Sequence, residues 1–157
     1  MASIMIDGNR KAFLSMIAFS EIGPALLAVS DNGYDVLVGS TPEHPLLFHS
    51  YAQHPRIFNK AMNSDAAGRY QFMGRYWISY KASLDLPDFG PDSQDEWAMQ
   101  LVRECHALEA VDTGDLQTAV HLCRSRWASF PEAGYGQHEQ KFAALQAAYT
   151  TAGGTLA

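Results

Sequence analysis

The amino-acid sequence predicts an α+β fold dominated by helices, with a small antiparallel sheet in the amino-terminal third. Three observations carry this expectation. Apolar residues recur at helical spacing in the first twenty residues and again over most of the chain beyond residue 70. Between them, the stretch 31–48 breaks into short β-prone runs separated by turn signals. The length of 157 residues and the 47% hydrophobic content suit one packed domain, 1–157, with room for two lobes. A chain of this size buries about two-thirds of its unfolded surface, so it needs no metal or disulfide to stand alone.

The elements follow in order. Residues 9–20 read as an amphipathic helix through Ala12, Phe13, Met16 and Ile17, with Asp7 as a candidate cap, stopped by Gly23-Pro24. Asp31-Asn32-Gly33 marks a turn, Tyr34 to Val38 a short strand, Gly39 to Pro45 a loop, and Leu46 to Phe48 a second apolar run. After Gly68-Arg69-Tyr70-Gln71-Phe72 comes an aromatic-rich helix through Ser83. Ser93 and Glu96 have the spacing of a capping box ahead of a helix over 97–106. Gly114-Asp115 precedes a helix through Cys123 and onward to Trp127, and Pro131 to Gln137 is a glycine-rich loop. A last helix spans about 138–151, ended by Gly153-Gly154.

Several function classes drop out. A net charge of −6 argues against a nucleic-acid binder. No apolar run approaches the about 20 residues of a membrane span, and Met1 to Arg10 lacks the basic-then-apolar order of a secretory signal. Synthesis and storage in the cytoplasm, without stable membrane association, are therefore expected. Cys105 and Cys123 fit that reducing compartment as small buried side chains. His44, His49 and His54 recur at a five-residue step that matches no common zinc pattern, so no metal and no cofactor is expected. Ser20, Ser50 and Ser64 lie in no hydrolase-triad motif, and no phosphate-binding glycine loop is present.

Three places carry candidate chemistry. Glu21, between Phe19 and Ile22 at the carboxyl end of the first helix, has two readings. It is a surface glutamate at a fraying end, or an acid whose pKa is raised by an apolar pocket and by the helix dipole. The second reading suits proton donation to a glycosidic oxygen. Gly68-Arg69-Tyr70-Gln71 combines close backbone approach, an aromatic face and an amide, which is what sugars require; the alternative is a turn followed by a core tyrosine. Gly134-Tyr135-Gly136-Gln137 repeats that chemistry on a pliable loop, or is an ordinary loop whose tyrosine packs inward. Arg56, Lys60, Arg69, Arg75 and Lys81 are candidates for a local basic patch.

These pieces, in this order, resemble the lambda-type phage endolysins, lytic transglycosylases of lysozyme-like fold. The resemblance runs from Arg10-Lys11-Ala12-Phe13-Leu14 to Ala152-Gly153-Gly154-Thr155. It rests on Ser20-Glu21, Gly33-Tyr34-Asp35-Val36, Ala67-Gly68-Arg69-Tyr70-Gln71, Ser93-Gln94-Asp95, Trp127-Ala128-Ser129 and Ala133-Gly134-Tyr135-Gly136-Gln137. It implies a glycan-binding cleft between two lobes, with Glu21 matching the catalytic glutamate. Tyr34, Gln71, Tyr135 and Gln137 match positions that line or border the cleft. Ser64, Arg69 and Tyr70 are expected to join them in binding substrate, and Ser50 to Lys60 and Phe130 to Lys141 match two lips over it.

The implied reaction is non-hydrolytic cleavage between N-acetylmuramic acid and N-acetylglucosamine in peptidoglycan, leaving 1,6-anhydro ends. The implied biology is host cell lysis by a monomer, stored in the host cytoplasm and released to the periplasm through holin lesions. The chain departs from the pattern at Ile22, at the apolar run Ala25 to Val29, and in its acidic balance. Asp31 and Asp35 lie where some lysozymes keep a second carboxylate, so hydrolysis stays open as a rival. So does a non-catalytic peptidoglycan-binding virion component.

Overall fold

A computed structural model describes residues 4–157. Its helices are α1 (Gly8–Glu21), α2 (Pro24–Ala28), α3 (Trp77–Leu84), α4 (Pro91–Glu104), α5 (Leu108–Thr113), α6 (Leu116–Cys123) and α7 (Phe142–Thr151). A 3-10 turn, Gly74–Tyr76, leads into α3. The chain divides into two compact units: a turn-rich one over Ile22–Trp97, and a helical one made of Ile4–Glu21 and Ala98–Ala157. The boundary falls inside α4.

In the helical unit, α1 packs against α7 and α5, and α5 against α6. Ala12, Phe13, Met16, Ile17 and Ala18 of α1 are fully enclosed, as are Leu145 and Tyr149 of α7. Each large side chain so buried contributes about 1.5–3 kcal/mol relative to exposure. The tail is tied back to the start of α1. Asn9 accepts from the Thr155 backbone N–H at 2.9 Å, and Arg10 grips both oxygens of Asp112 at 2.8 Å. The Ala157 N–H reaches the Gly114 carbonyl at 3.0 Å.

The turn-rich unit is held by aromatic packing. Phe89, fully buried, touches Phe48, His54, Phe72, Trp77 and Trp97, with ring centroids 5.0–6.3 Å apart. Phe72 and Trp97 stack at 4.0 Å. The expected antiparallel sheet is present here only as isolated bridges: Val36 with Leu47, Leu37 with Ala67, Asn59 with Ser64, and Ala67 with Phe72. Side chains also reach these backbone acceptors: the Asn59 amide donates to the Val38 carbonyl, and the Gln71 amide shares the Val36 carbonyl with the Gly68 N–H.

The helix boundaries correct the sequence expectation in five places. α4 begins at Pro91, a proline in the first helical position, where its missing N–H costs nothing. Ser93 is therefore no cap: its hydroxyl donates to Asp88 at 3.0 Å, inside the helix. After α4, His106 adopts a left-handed conformation (φ 58°), which separates off the short α5 that helical spacing alone did not resolve. α6 ends at Cys123 rather than Trp127, and α7 begins at Phe142 rather than near His138. Asp115 does cap α6, accepting from the Thr118 N–H. Asp7 serves α1 through its backbone carbonyl. Pro24, expected only as a stop, opens α2.

Candidate functional site

In the helical unit, Glu21 is the last residue of α1 and is partly exposed. Burial pushes its carboxyl from 4.5 up to about 7, and the Ser129 hydroxyl, hydrogen-bonding toward it, pulls the other way. Ser129 is itself 2.6 Å from the Ser20 hydroxyl. If Ser129 donates to Glu21, its oxygen accepts from Ser20, so the two serines form a short relay ending at the acid. The backbone places Ser129 as well. It follows buried Trp127, and its carbonyl accepts from the Gln140 N–H at 2.7 Å. An acid that keeps its proton near neutral pH, and is still reachable, is equipped both to donate that proton and to take one back.

The glycine-rich loop belongs to this unit and is not slack. The Glu139 carboxylate accepts from the Glu132 and Gly134 N–H groups at 2.9 and 3.0 Å. The Tyr135 hydroxyl donates to the Ser125 carbonyl at 2.7 Å while the residue as a whole stays 56% exposed. Tyr135 therefore does not pack inward, and Gln137 beside it is also exposed.

In the turn-rich unit a second constellation forms. Gly68 has φ +88°, and a Cβ there would meet the Gln94 side-chain oxygen at 2.4 Å. That oxygen accepts from the Arg69 N–H, while the same amide donates to the carbonyls of Tyr34 and Phe89. Fully buried Gln94 thus binds the two motif stretches together. Tyr34 and Tyr70 both donate to one oxygen of Asp95, at 2.9 and 2.6 Å. Arg69 donates to the Tyr70 hydroxyl at 2.8 Å and to the Asn32 carbonyl at 3.1 Å, its guanidinium over both rings. Burial raises the Asp95 carboxyl, against the pull of the two phenols and Arg69. Burial and the Asp95 charge push Tyr34 up to about 12, so it stays a neutral donor at any working pH.

The structure therefore brings Tyr34, Arg69 and Tyr70 together but buries two of them. Tyr70 is 1% and Arg69 8% exposed, too little for direct contact with a glycan or for a basic patch. Tyr34 stays half-buried. Gln71 turns back on its own loop, its amide donating to the Gly68 carbonyl at 2.9 Å. Ser64 is likewise engaged locally, accepting from the Ala66 N–H and bridging by backbone to Asn59. Asp31 and Asp35 are both occupied: Asp31 accepts from Tyr51 at 2.6 Å, and Asp35 from the Asp31 N–H at 2.9 Å.

The sequence alone assigns no role to Ser129, Gln94 or Asp95, although the motif triplets Trp127-Ala128-Ser129 and Ser93-Gln94-Asp95 contain them. What singles them out is buried hydrogen bonding, which no spacing reveals. His54 is a core residue. Its Nδ1 accepts from the Arg56 N–H, so Nε2 carries the proton it donates to the Phe72 carbonyl at 2.7 Å. Among the described residues, no group of three or more histidine, cysteine or acidic side chains is placed to hold a metal ion.

An endolysin family model matches residues 11–156. The endolysin of Escherichia phage lambda is 43% identical over 154 residues, covering 98% of this chain and 96% of that one. The endolysin of Escherichia phage P2 is 42% identical over 166 residues, covering all of both. Among solved structures, bacteriophage lambda lysozyme complexed with a chitohexasaccharide superposes with a TM-score of 0.90 at 42% identity, covering 98% of this chain and 99% of that one.

Proposed function

The chain belongs to the endolysin family, and on that premise we propose that it cleaves peptidoglycan glycan strands during phage-induced lysis, as a lytic transglycosylase with Glu21 as its acid and base. One observation carries the reading: a reachable carboxyl at the end of α1 that holds its proton up to about 7 and has the Ser129 hydroxyl beside it. Glu21 protonates the oxygen linking N-acetylmuramic acid to N-acetylglucosamine. As carboxylate it then takes the proton from the muramic C6 hydroxyl, whose oxygen closes on C1. The attacking group is part of the substrate, so a high effective concentration replaces a protein nucleophile, and no water is consumed.

The other residues divide by exposure. Tyr34, Tyr135 and Gln137 offer surface to the sugar, and the bound chitohexasaccharide of the lambda lysozyme structure supports a glycan ligand. Gln71 and Ser64 shape the backbone of the turn-rich unit around them. Arg69 and Tyr70 act through Tyr34, holding its ring and hydroxyl by way of Asp95. Release to the wall is assigned to a holin-made lesion, and the chain acts as a monomer.

Digestion of purified Gram-negative peptidoglycan, followed by mass spectrometry, tests the reaction. Fragments one water lighter than hydrolysis products, and unreactive toward borohydride, are expected. Reducible ends would mean hydrolysis and transfer attention to Asp31 and Asp35. Intact sacculi carrying bound protein would mean a binding component rather than an enzyme.

A further inference from the structure

The turn-rich unit carries a stretch whose charge is opposite to that of the chain. Residues 56–84 hold five of the 11 basic residues, Arg56, Lys60, Arg69, Arg75 and Lys81, and one of the 17 acidic ones, Asp65. That stretch is net +4, and the remainder, with six basic and 16 acidic residues, is net −10. Arg69 is withdrawn into the core, but Arg56, Lys60 and Arg75 are exposed and Lys81 is partly so. Among the described residues none of these four enters an ion pair. The same stretch exposes Ile57, Phe58, Met62, Tyr76 and Ile78, each 46–62% accessible. They are half of the ten large apolar side chains exposed among the described residues. A single exposed apolar side chain is ordinary, but five within one cationic stretch mark an interaction surface.

The backbone fixes this surface. Asn59 and Ser64 exchange backbone hydrogen bonds at 2.7 and 3.2 Å, closing a tight hairpin with Lys60 and Met62 in its tip. The Asn59 side chain holds the tip, accepting from the Met62 N–H at 3.1 Å and donating to the Val38 carbonyl at 3.2 Å. At the base, the Arg56 N–H donates to buried His54 at 3.0 Å. The turn that leads into α3 lies alongside. Its Gly74 N–H donates to Asp65 at 3.0 Å, and the Ser64 hydroxyl donates to the Met73 sulfur at 3.5 Å. A Cβ on Gly74 would stand 3.2 Å from the Arg56 stem. The hairpin and the start of α3 are thus neighbours in space as well as in charge.

We propose that this hairpin and the start of α3 form an interfacial site for an anionic phospholipid surface, which the chain binds reversibly. Ile57, Phe58 and Met62 enter the boundary between headgroups and acyl chains, and Arg56, Lys60 and Lys81 pair with lipid phosphates. The composition favours lipid over glycan. Aliphatic Ile57, Met62 and Ile78 present neither a flat aromatic face nor a hydrogen-bonding group to a sugar. The acidic remainder of the chain is repelled by the same lipids, so only this stretch brings opposite charges together, and the contact is weak and salt-sensitive. It lies at the membrane surface: no helix among the described residues is long and apolar enough to cross a membrane. The site uses nothing of Glu21 and does not depend on the glycan reading.

Flotation with large unilamellar vesicles tests it. The full-length protein should float with phosphatidylglycerol–phosphatidylethanolamine vesicles at low salt and stay behind with phosphatidylcholine vesicles. Raising salt from roughly 0.01 to 0.5 M should release it. Phe58→Trp adds an exposed indole to the buried Trp77, Trp97 and Trp127, and its emission should shift to the blue on the anionic vesicles. Lys60→Gln with Lys81→Gln should weaken vesicle binding by roughly tenfold or more with Tm unchanged. Ile57→Ser with Ile78→Ser should weaken it by a similar factor. Absence of binding to anionic vesicles overturns the proposal, as does equal binding to neutral ones, or binding that both double variants leave intact. So does Phe58→Trp emission that shifts with lipid-free sacculi and not with vesicles, which would give the surface to the glycan. Should the serine variant fail to fold, the lysine variant and the Phe58→Trp emission decide the matter on their own.

Discussion

In the proposed reaction Glu21 is an acid at one moment and a base at the next, and its surroundings suit such a compromise. Burial favours the protonated form, and the Ser129 hydroxyl favours the carboxylate. Glu21→Gln cannot donate or take back a proton, so soluble muropeptide release should fall by about 100- to 10,000-fold while binding to sacculi persists. Ser129→Ala removes the influence that lowers the Glu21 pKa. The alkaline limb of kcat/KM, set in the wild type near pH 7, should therefore move to higher pH; an unmoved limb would mean that Ser129 does not address the acid. The same shift has a consequence for stability. A carboxyl raised from 4.5 to about 7 contributes stability that is fully present below its unfolded pKa and is lost as pH rises through about 7. Glu21→Gln should flatten that slope and exceed the wild type above neutral pH by on the order of 2 kcal/mol. Urea unfolding of both proteins across the same pH series measures it, and parallel curves would refute it.

Among the elements, the turn at 67–72 is where backbone and site are most tightly joined. Gly68→Ala meets two penalties, a left-handed φ of +88° and a Cβ 2.4 Å from the buried Gln94 oxygen. Gly134→Ala meets only the first, since nothing lies within 4 Å of its Cβ. Urea unfolding should show Gly68→Ala costing on the order of 3 kcal/mol and Gly134→Ala about 1 kcal/mol. The contrast also indicates what can be read from sequence. Both glycine motifs were visible as motifs, but that one is locked by buried Gln94 and the other held by the Glu139 carboxylate and the Tyr135 hydroxyl was not. α1 was legible because its spacing is regular and Gly23-Pro24 follows at once, which fixes Glu21 at a helix end. The start of α4 was not, because Ser93-x-x-Glu96 satisfies a local rule that Pro91, two residues earlier, and Asp88, five residues earlier, override. The burial of Tyr70 and Arg69 was hidden for a related reason. It depends on Asp95, some twenty-five residues away in sequence, accepting both phenols.

For the whole molecule, the open matter is charge. The chain carries 11 basic and 17 acidic residues, net −6, and its proposed substrate is an acidic polymer. Like signs repel over the Debye length, which is about 30 Å at 0.01 M salt and about 8 Å at 0.15 M. At low salt nearly the whole protein lies within reach of the wall's field; at 0.15 M only the contacting face does. Of the candidate basic patch, Arg69 is withdrawn into the Tyr34–Tyr70–Asp95 network, and Arg75 lies over the Tyr76 ring. That leaves Arg56, Lys60 and Lys81 as the stronger contributors to any local attraction. If net charge governs encounter, initial rates on purified sacculi should rise severalfold as salt increases from about 0.01 to 0.15 M and then level off. A rate that falls over the same range would mean that a local cationic face outweighs the net charge. Arg56→Gln and Lys60→Gln should then abolish the salt dependence while leaving the Tm unchanged, because a surface cation engages the substrate without supporting the fold.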